Sequence, residues 1–399
     1  MDSNEAPNSP AESDREDSPP RELSTAEPKK VFGDEFLLEE EMHPWFKPEK
    51  WYPVRMGEVI DSRYQVLAKL GFGSVSTVWL CRDLRRSHKY VSLKIYYTGH
   101  PQAAKEVEVS RHLESVIDET TWPSCIRKLR RSFEIPGAVG PHVCLVYDPL
   151  LMSIEDVRLQ AGGKLPTYIL KPFMGTVLSM LGGLHTNVQL IHTDLWAGNV
   201  LSSAENESVW DEIVEKEWTT PSPRKIRSDR TIYASHTIGI QALGDQVVIC
   251  DFGEARVGDG PFIGDVMPDL YRAPEIILYI PWTEKIDIWS VGLMTWDLLE
   301  GKHLFSYPNP GREDSRGAHV ARIVSLLGKP PKDFLERTTE ADEFFDEDGN
   351  LKIQPEGVEG GSLEEEEEVL EADDKKKFFW RPEDRPTAEE LANDPCLEV

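Results

Sequence analysis

No run of about 18 apolar residues occurs in this chain of 399 residues, so no helix written in it can cross a bilayer. The opening Met1-Asp2-Ser3-Asn4-Glu5 lacks a basic patch followed by an apolar one, which argues against a secretory leader. Cysteine is scarce. Cys81, Cys125, Cys144, Cys250 and Cys396 are scattered, odd in number and never spaced as CxxC. A disulfide framework and a cysteine-based zinc site are thereby excluded, and a reduced cytoplasmic or nuclear setting is expected. Positive charge is also short: 44 Lys and Arg face 71 Asp and Glu, for a net charge of −27. Without a basic stripe, direct contact with nucleic acid is not expected. No membrane association is expected, and the anticipated state is a monomer.

The acidity is concentrated. Residues 1–45 hold 13 acids against 4 bases, and residues 333–374 hold 18 against 2. The remainder of the chain is near neutral. Residues 1–30 are rich in Pro, Ser, Asp and Glu with almost no large apolar residues, so an acidic tail over 1–50 is expected to be largely disordered.

Beyond the tail, β-branched and aromatic residues predict strands at 63–70, 77–81, 90–96 and 142–146, with a helix over 102–117. After about residue 150, apolar spacing near 3.6 predicts helices at 167–187 and 285–300. Strands first and helices later predict an α+β protein: a small antiparallel sheet region with one helix over 51–150, then a larger, mainly helical region over 151–399. The polar stretch 202–244 and the acidic stretch 338–375, with Glu364 to Glu368 in a row, read as loops.

Several short motifs carry chemistry. Gly71-Phe72-Gly73-Ser74-Val75-Ser76-Thr77-Val78 fits GxGxxGxV with Ser76 in place of the third glycine. Glycines let backbone N–H groups approach phosphates closely, although a hairpin without a ligand would read the same way. Lys94 ends a Val-Ser-Leu strand and, if buried, needs an acidic partner. Glu106 is the candidate, with Glu108 as the alternative, and the lysine could then hold α- and β-phosphates. In Ile191-His192-Thr193-Asp194-Leu195-Trp196-Ala197-Gly198-Asn199, Asp194 can accept a hydroxyl proton and Asn199 can bind Mg²⁺. Val247-Val248-Ile249-Cys250-Asp251-Phe252-Gly253 ends a strand in a carboxylate suited to the same cation and to phosphates. Arg272-Ala273-Pro274-Glu275 and Ile286-Asp287-Ile288-Trp289-Ser290 follow.

Taken in this order, the motifs resemble the protein kinase family over roughly residues 58 to 397. Within it the chain looks like the SR-protein kinase (SRPK) group in its fungal form. That likeness rests on Pro53-Val54-Arg55-Met56-Gly57-Glu58-Val59, on Ser76-Thr77-Val78-Trp79-Leu80 and on His192-Thr193-Asp194. It rests also on Pro221-Ser222-Pro223-Arg224-Lys225, Asp269-Leu270-Tyr271-Arg272 and Leu326-Leu327-Gly328-Lys329-Pro330-Pro331. The resemblance implies a bilobal fold and a serine/threonine kinase using ATP and Mg²⁺. Asp194, Lys94, Asn199 and Asp251 are then the catalytic set, with Asn199 and Asp251 on the metal. The implied ATP contacts are Leu70, Gly71, Gly73, Ser76, Val78, Lys94, Glu106, Tyr147, Asp148, Leu150 and Leu201, with Tyr147 as gatekeeper. Arg-Ser-rich splicing factors are the implied substrates. An acidic surface suits such basic partners, although the acidic tracts can equally serve solubility. Asp287 is expected to hold the backbone of the catalytic loop, and Glu275 and Arg385 to pair in the large lobe.

Three features depart from the common pattern. Thr193 replaces an arginine that elsewhere receives an activation-segment phosphate, and no Ser or Thr lies between Gly253 and Tyr271. Receptor and modification are absent together, which implies activity without that phosphorylation. Trp196 stands where relatives usually carry lysine or glutamine. An indole brings one N–H and no charge to the transferring phosphate, and losing one such group commonly costs about 2.7–4 kcal/mol. Finally, Asp374-Lys375-Lys376-Lys377-Phe378-Phe379-Trp380-Arg381 runs directly into Pro382, where relatives carry a further helix. Trp196 and this gap support an alternative: a pseudokinase or ATP-binding scaffold with little turnover.

Overall fold

The alternating segments between residues 59 and 147 pair into one sheet. The computed structural model describes residues 19–22, 24–85, 89–118, 125–307, 315–352, 361–366 and 379–397. From edge to edge the sheet runs Val59–Ile60, Tyr64–Phe72, Ser76–Asp83, Lys89–Tyr96, His142–Tyr147 and Leu129–Ile135. All neighbours are antiparallel. One face buries Val66, Trp79, Cys81, Val91, Leu93, Cys144 and Val146 in a single cluster. The expected strands are thus present, each end within two residues of its expected position.

Two compact units form. The first is drawn from Met1–His100, Lys128–Pro149 and Asn206–Ile238; the second from Pro101–Arg127, Leu150–Glu205 and Gly239–Val399. These limits differ from divisions at 50 and 150, because the helix Pro101–Val116 groups with the second unit and part of the polar insert with the first.

In the first unit two segments expected to be irregular are ordered together. The insert carries the helix Ser208–Thr219 and the strands Arg224–Ile226 and Thr231–Tyr233. Trp210, Ile213, Val214 and Glu217 are buried at the i, i+3, i+4, i+7 spacing, a stripe that the polar average of the segment conceals. Residues 24–50 are likewise placed rather than part of a structureless tail. Val31–Phe32 pairs in parallel with Arg224–Ile226. Lys225, fully buried, donates to the Phe36 carbonyl at 2.8 Å and to both Glu41 oxygens at 3.2 Å. Lys69, also fully buried, lies 2.8 Å from Glu39 Oε2 and donates to the Tyr233 carbonyl at 2.9 Å. Glu39, Glu40 and Glu41 are therefore counter-ions to buried lysines.

The second unit is helical around Lys285–Glu300, which is buried on almost every side, with Asp287, Ser290, Asp297 and Glu300 buried among its apolar residues. It stops at Gly301, whose φ of 73° closes the last turn through its N–H to the Asp297 carbonyl at 3.0 Å. Thr167–Gly183 agrees with the expected helix and continues into a single wider turn, Leu184–Val188. Glu275 and Arg385 form the expected buried pair, bidentate at 2.6 and 2.8 Å, and the guanidinium also reaches the carbonyls of Lys285 and Phe379. The acidic stretch, expected as loop, contains short helical turns at Ala341–Phe344 and Leu363–Glu366, the latter tied by Glu366 to Arg322 at 2.6 Å. The direct run from Asp374 through Phe378 lies outside the described residues.

Replacing Glu275 by alanine strands the Arg385 charge in the interior. Chemical denaturation should show a loss of about 3–5 kcal/mol. A second expectation concerns acid. His319 is buried against the Tyr307 ring at 4.6 Å, and burial pushes its pKa down to about 3. The unfolded chain then binds a proton below its ordinary value of 6.5 that the fold refuses. Stability should fall as pH drops from about 6.5 toward 3, by up to about 1.4 kcal/mol per pH unit from this group. His319→Phe should flatten that slope in unfolding curves recorded across the range.

Candidate active site

The sheet register gathers the expected nucleotide residues of the first unit into one row. Gly71 faces Val78, Val78 faces Lys94, and Lys94 faces Leu145 on four successive strands. Directly opposed residues on adjacent strands share a sheet face, so Gly71, Val78 and Lys94 present one surface. Leu70 precedes this row on the same strand. Lys94 is buried, its ammonium 4.8 Å from the centre of the Tyr96 ring. The loop after Phe72 closes by the Gly73 N–H to the Ser76 carbonyl at 2.8 Å, with Ser76 buried. Among the described residues no atom lies within 4 Å of where a Cβ would stand on Gly71, and the nearest to one on Gly73 is Ser76 Oγ at 3.6 Å. Backbone at this loop is therefore open to close approach, as phosphate binding requires. Tyr147 is buried at the end of its strand, opposite Ser92 and Leu129. The Asp148 carboxylate is taken by the Arg130 guanidinium, with Nε at 3.0 Å, a pairing that the sequence does not announce.

In the second unit, chain reversal between Ile191 and Val200 brings Asp194 and Asn199 together. Asn199 Nδ2 donates to the Asp194 carbonyl at 2.7 Å and to its carboxylate at 2.9 Å. Both amide hydrogens are spent on Asp194, which leaves Oδ1 as the end that can meet a cation. The strand Val200–Ala204 carries Leu201, paired with Val248 on the strand that leads to Asp251. The Leu151 N–H donates to the Ser202 carbonyl at 2.9 Å and the Ser202 N–H to the Met152 carbonyl at 3.0 Å, which sets Leu150 beside the Leu201 strand. Asp251 has φ 63° and ψ 70°, a left-handed conformation uncommon outside glycine. The Phe252–Glu254 turn packs against the helix Pro101–Val116, on which Glu106 is buried. A Cβ on Gly253 would come within 2.5 Å of Gln102 Cγ on that helix, so glycine permits the close approach.

The frame behind these groups depends on Asp287, at the start of the Lys285–Glu300 helix. Its carboxylate accepts the backbone N–H groups of His192 and Thr193, each at 2.8 Å, and lies 2.9 Å from His185 Nε2. His185 has no recognisable motif in the sequence. His192 Nε2 lies 3.0 Å from the Cys250 carbonyl oxygen, joining the two loops, and burial lowers its pKa so that it stays neutral. Thr193, with φ 65°, donates its hydroxyl to the Glu254 carbonyl at 2.8 Å. The loop and the start of the activation segment are thus joined without a charged residue at position 193. The Trp196 ring folds back over its own loop. A Cβ on Gly198 would stand 2.2 Å from Cζ2 and Cη2 of the indole, so only glycine accommodates it.

This arrangement suits oxygen-rich ligands. A carboxylate and an amide oxygen are hard donors of the kind a divalent cation takes together with substrate phosphates. The Asp194 carboxylate, held by the Asn199 amide, is a group chemically able to accept a proton.

Comparisons with known proteins identify the family. The protein kinase domain family matches residues 64–397. A serine/threonine protein kinase of Aspergillus fumigatus is 40% identical over 395 residues, covering 95% of each chain. The serine/threonine-protein kinase SRPK of Physarum polycephalum is 31% identical over 397 residues, covering 92% of this chain and 93% of that one. The human dual specificity protein kinase CLK1 is 27% identical over 288 residues, 71% of this chain and 52% of its own.

Thr193→Val keeps the shape of the side chain and removes the donor to Glu254. The Arg256 guanidinium still donates to that carbonyl, so losing the one hydroxyl bond should lower stability by about 0.5–1.5 kcal/mol in denaturant titrations, with a larger fractional loss of phosphoryl transfer than of nucleotide affinity.

Proposed function

The chain belongs to the protein kinase family and is a serine/threonine protein kinase; from that premise we propose that it transfers the γ-phosphate of Mg-ATP to hydroxyls of Arg-Ser-rich proteins, as an SRPK-like enzyme acting on splicing factors. The observation that carries this reading is the Asp194–Asn199 pairing, which orients a carboxylate and turns the amide oxygen of Asn199 outward.

In this reading Asp194 accepts the proton of the incoming hydroxyl, and its bond from Asn199 keeps the carboxylate in position. Lys94 holds the α- and β-phosphates, and the open backbone at Gly71 and Gly73 on the same sheet face takes their oxygens. Asn199 and Asp251 hold the cation. Mg²⁺, when bound, neutralises charge developing on the phosphate oxygens. Backbone groups from Tyr147 to Leu150 take the adenine edge, with Leu70, Val78 and Leu201 against its faces and Asp148 kept aside by Arg130. The Thr193 hydroxyl and the lack of Ser or Thr between Gly253 and Tyr271 support activity without activation-segment phosphorylation. An ATP-binding scaffold is disfavoured, since Lys94, Asp194, Asn199 and Asp251 are all present and full-length relatives are named as kinases.

Trp196 is the weak point for chemistry, because an indole packed on Gly198 offers no charge to the transferring group. Phosphate incorporation into an Arg-Ser peptide should exceed that of the Asp194→Ala variant. Transfer to a serine peptide without arginine, with none to the Arg-Ser peptide, would refute the substrate class. Trp196→Lys should raise kcat on the scale of a hundredfold, while an unchanged kcat would refute the role assigned to that position.

A further inference from the structure

The glycine-containing loop is held from outside the sheet by residues that precede the kinase domain match. His43 Nε2 lies 3.1 Å from the Gly73 carbonyl oxygen, and Trp45 Nε1 donates to the Ser74 carbonyl at 2.9 Å. The two rings stack, with centroids 5.0 Å apart and planes 12° from parallel, and His43 also approaches Phe72 at 5.9 Å. Trp45 is 51% exposed, so its ring contributes little to the core. Its indole N–H is the part with a fixed partner.

The arm bearing these residues is anchored on both sides. Before it, Glu39 and Glu40 clasp Lys69, two residues ahead of Gly71, while Glu41 clasps Lys225. After it, the Lys50 carbonyl accepts the Thr98 N–H at 2.9 Å, and Trp51 is buried beside Phe46 with centroids 5.7 Å apart. The loop is thus gripped by a segment that is itself immobilised on the same sheet. A trans peptide unit is planar, with its C=O and N–H pointing in opposite directions. A bond to the Gly73 oxygen therefore aims the Ser74 N–H away from the arm, and a bond to the Ser74 oxygen does the same for the Val75 N–H.

We propose that His43 and Trp45 are positioning residues for phosphoryl transfer: they hold the two peptide planes at the loop tip so that the Ser74 and Val75 N–H groups stand as a prearranged donor pair for nucleotide phosphate. This rests on the kinase reading of the Gly71–Val78 loop given above. Without the clamp the loop must be ordered by the nucleotide itself, and binding pays that ordering entropy.

The test uses the full chain and three variants: Trp45→Phe, which keeps the ring stack and deletes the N–H; His43→Ala; and His43→Gln, which retains a donor. A fluorescent ATP analogue is titrated into each, KM values for ATP and for peptide are measured, and backbone amide exchange is followed over residues 70–77 without nucleotide. Trp45→Phe and His43→Ala should each weaken ATP binding about 3- to 10-fold, the scale of one hydrogen bond. They should speed exchange in that segment and leave peptide KM and the thermal midpoint unchanged. His43→Gln should stay within about twofold of the wild type, well inside that range. Unaltered ATP affinity in both variants, beside a wild type that binds ATP, overturns this inference alone. A loss that tracks a lowered thermal midpoint and is not rescued by His43→Gln overturns it as well. Failure of the wild type to bind ATP overturns the kinase reading of the loop and this inference with it.

Discussion

The carboxylate of Asp287 accepts the amides of His192 and Thr193 and lies against His185, and the course of the chain through Asp194 follows from those contacts. A fully buried carboxylate is tolerated only where its oxygens are satisfied. The loop in turn needs the carboxylate, because Thr193 sits at a positive φ that a β-branched residue rarely adopts. Asp251 carries a second left-handed backbone nearby in the chain's functional segments. Such conformations cost about 1–3 kcal/mol each and persist where their surroundings over-determine them. Here the surroundings are the Asp287 bonds, the Thr193 hydroxyl on Glu254 and the His192 ring at Cys250.

The first unit solves a comparable problem with opposite charges. Lys69 and Lys225 are both fully buried, and each is matched to acids from residues 39–41. Because an unpaired buried charge is far more costly than a disordered acidic segment, the arm is drawn onto the sheet and the insert. Its path then carries His43 and Trp45 to the glycine-containing loop. Electrostatic necessity in one place thereby sets backbone geometry in another.

Much of the site was legible in linear form. Asp194 and Asn199 share one short motif and Asp251 opens another, Asp-Phe-Gly, and the alternation through 64–96 predicts the strands whose register aligns Gly71, Val78 and Lys94. The helix Ser208–Thr219 was hidden because its four inward positions are outnumbered by polar neighbours. The ordering of residues 24–50 was hidden because composition counts their acids as solvated, whereas three of them face buried lysines far along the chain.

The amino-acid sequence by itself determined the α+β division and the protein kinase family, since these reside in residue type and local spacing. Only the tertiary structure decided which acids are counter-ions, how the Thr193 hydroxyl is spent on Glu254 and what grips the glycine-containing loop. Those outcomes depend on partners tens to hundreds of residues apart, whose pairing is chosen by burial and charge balance once the chain has folded.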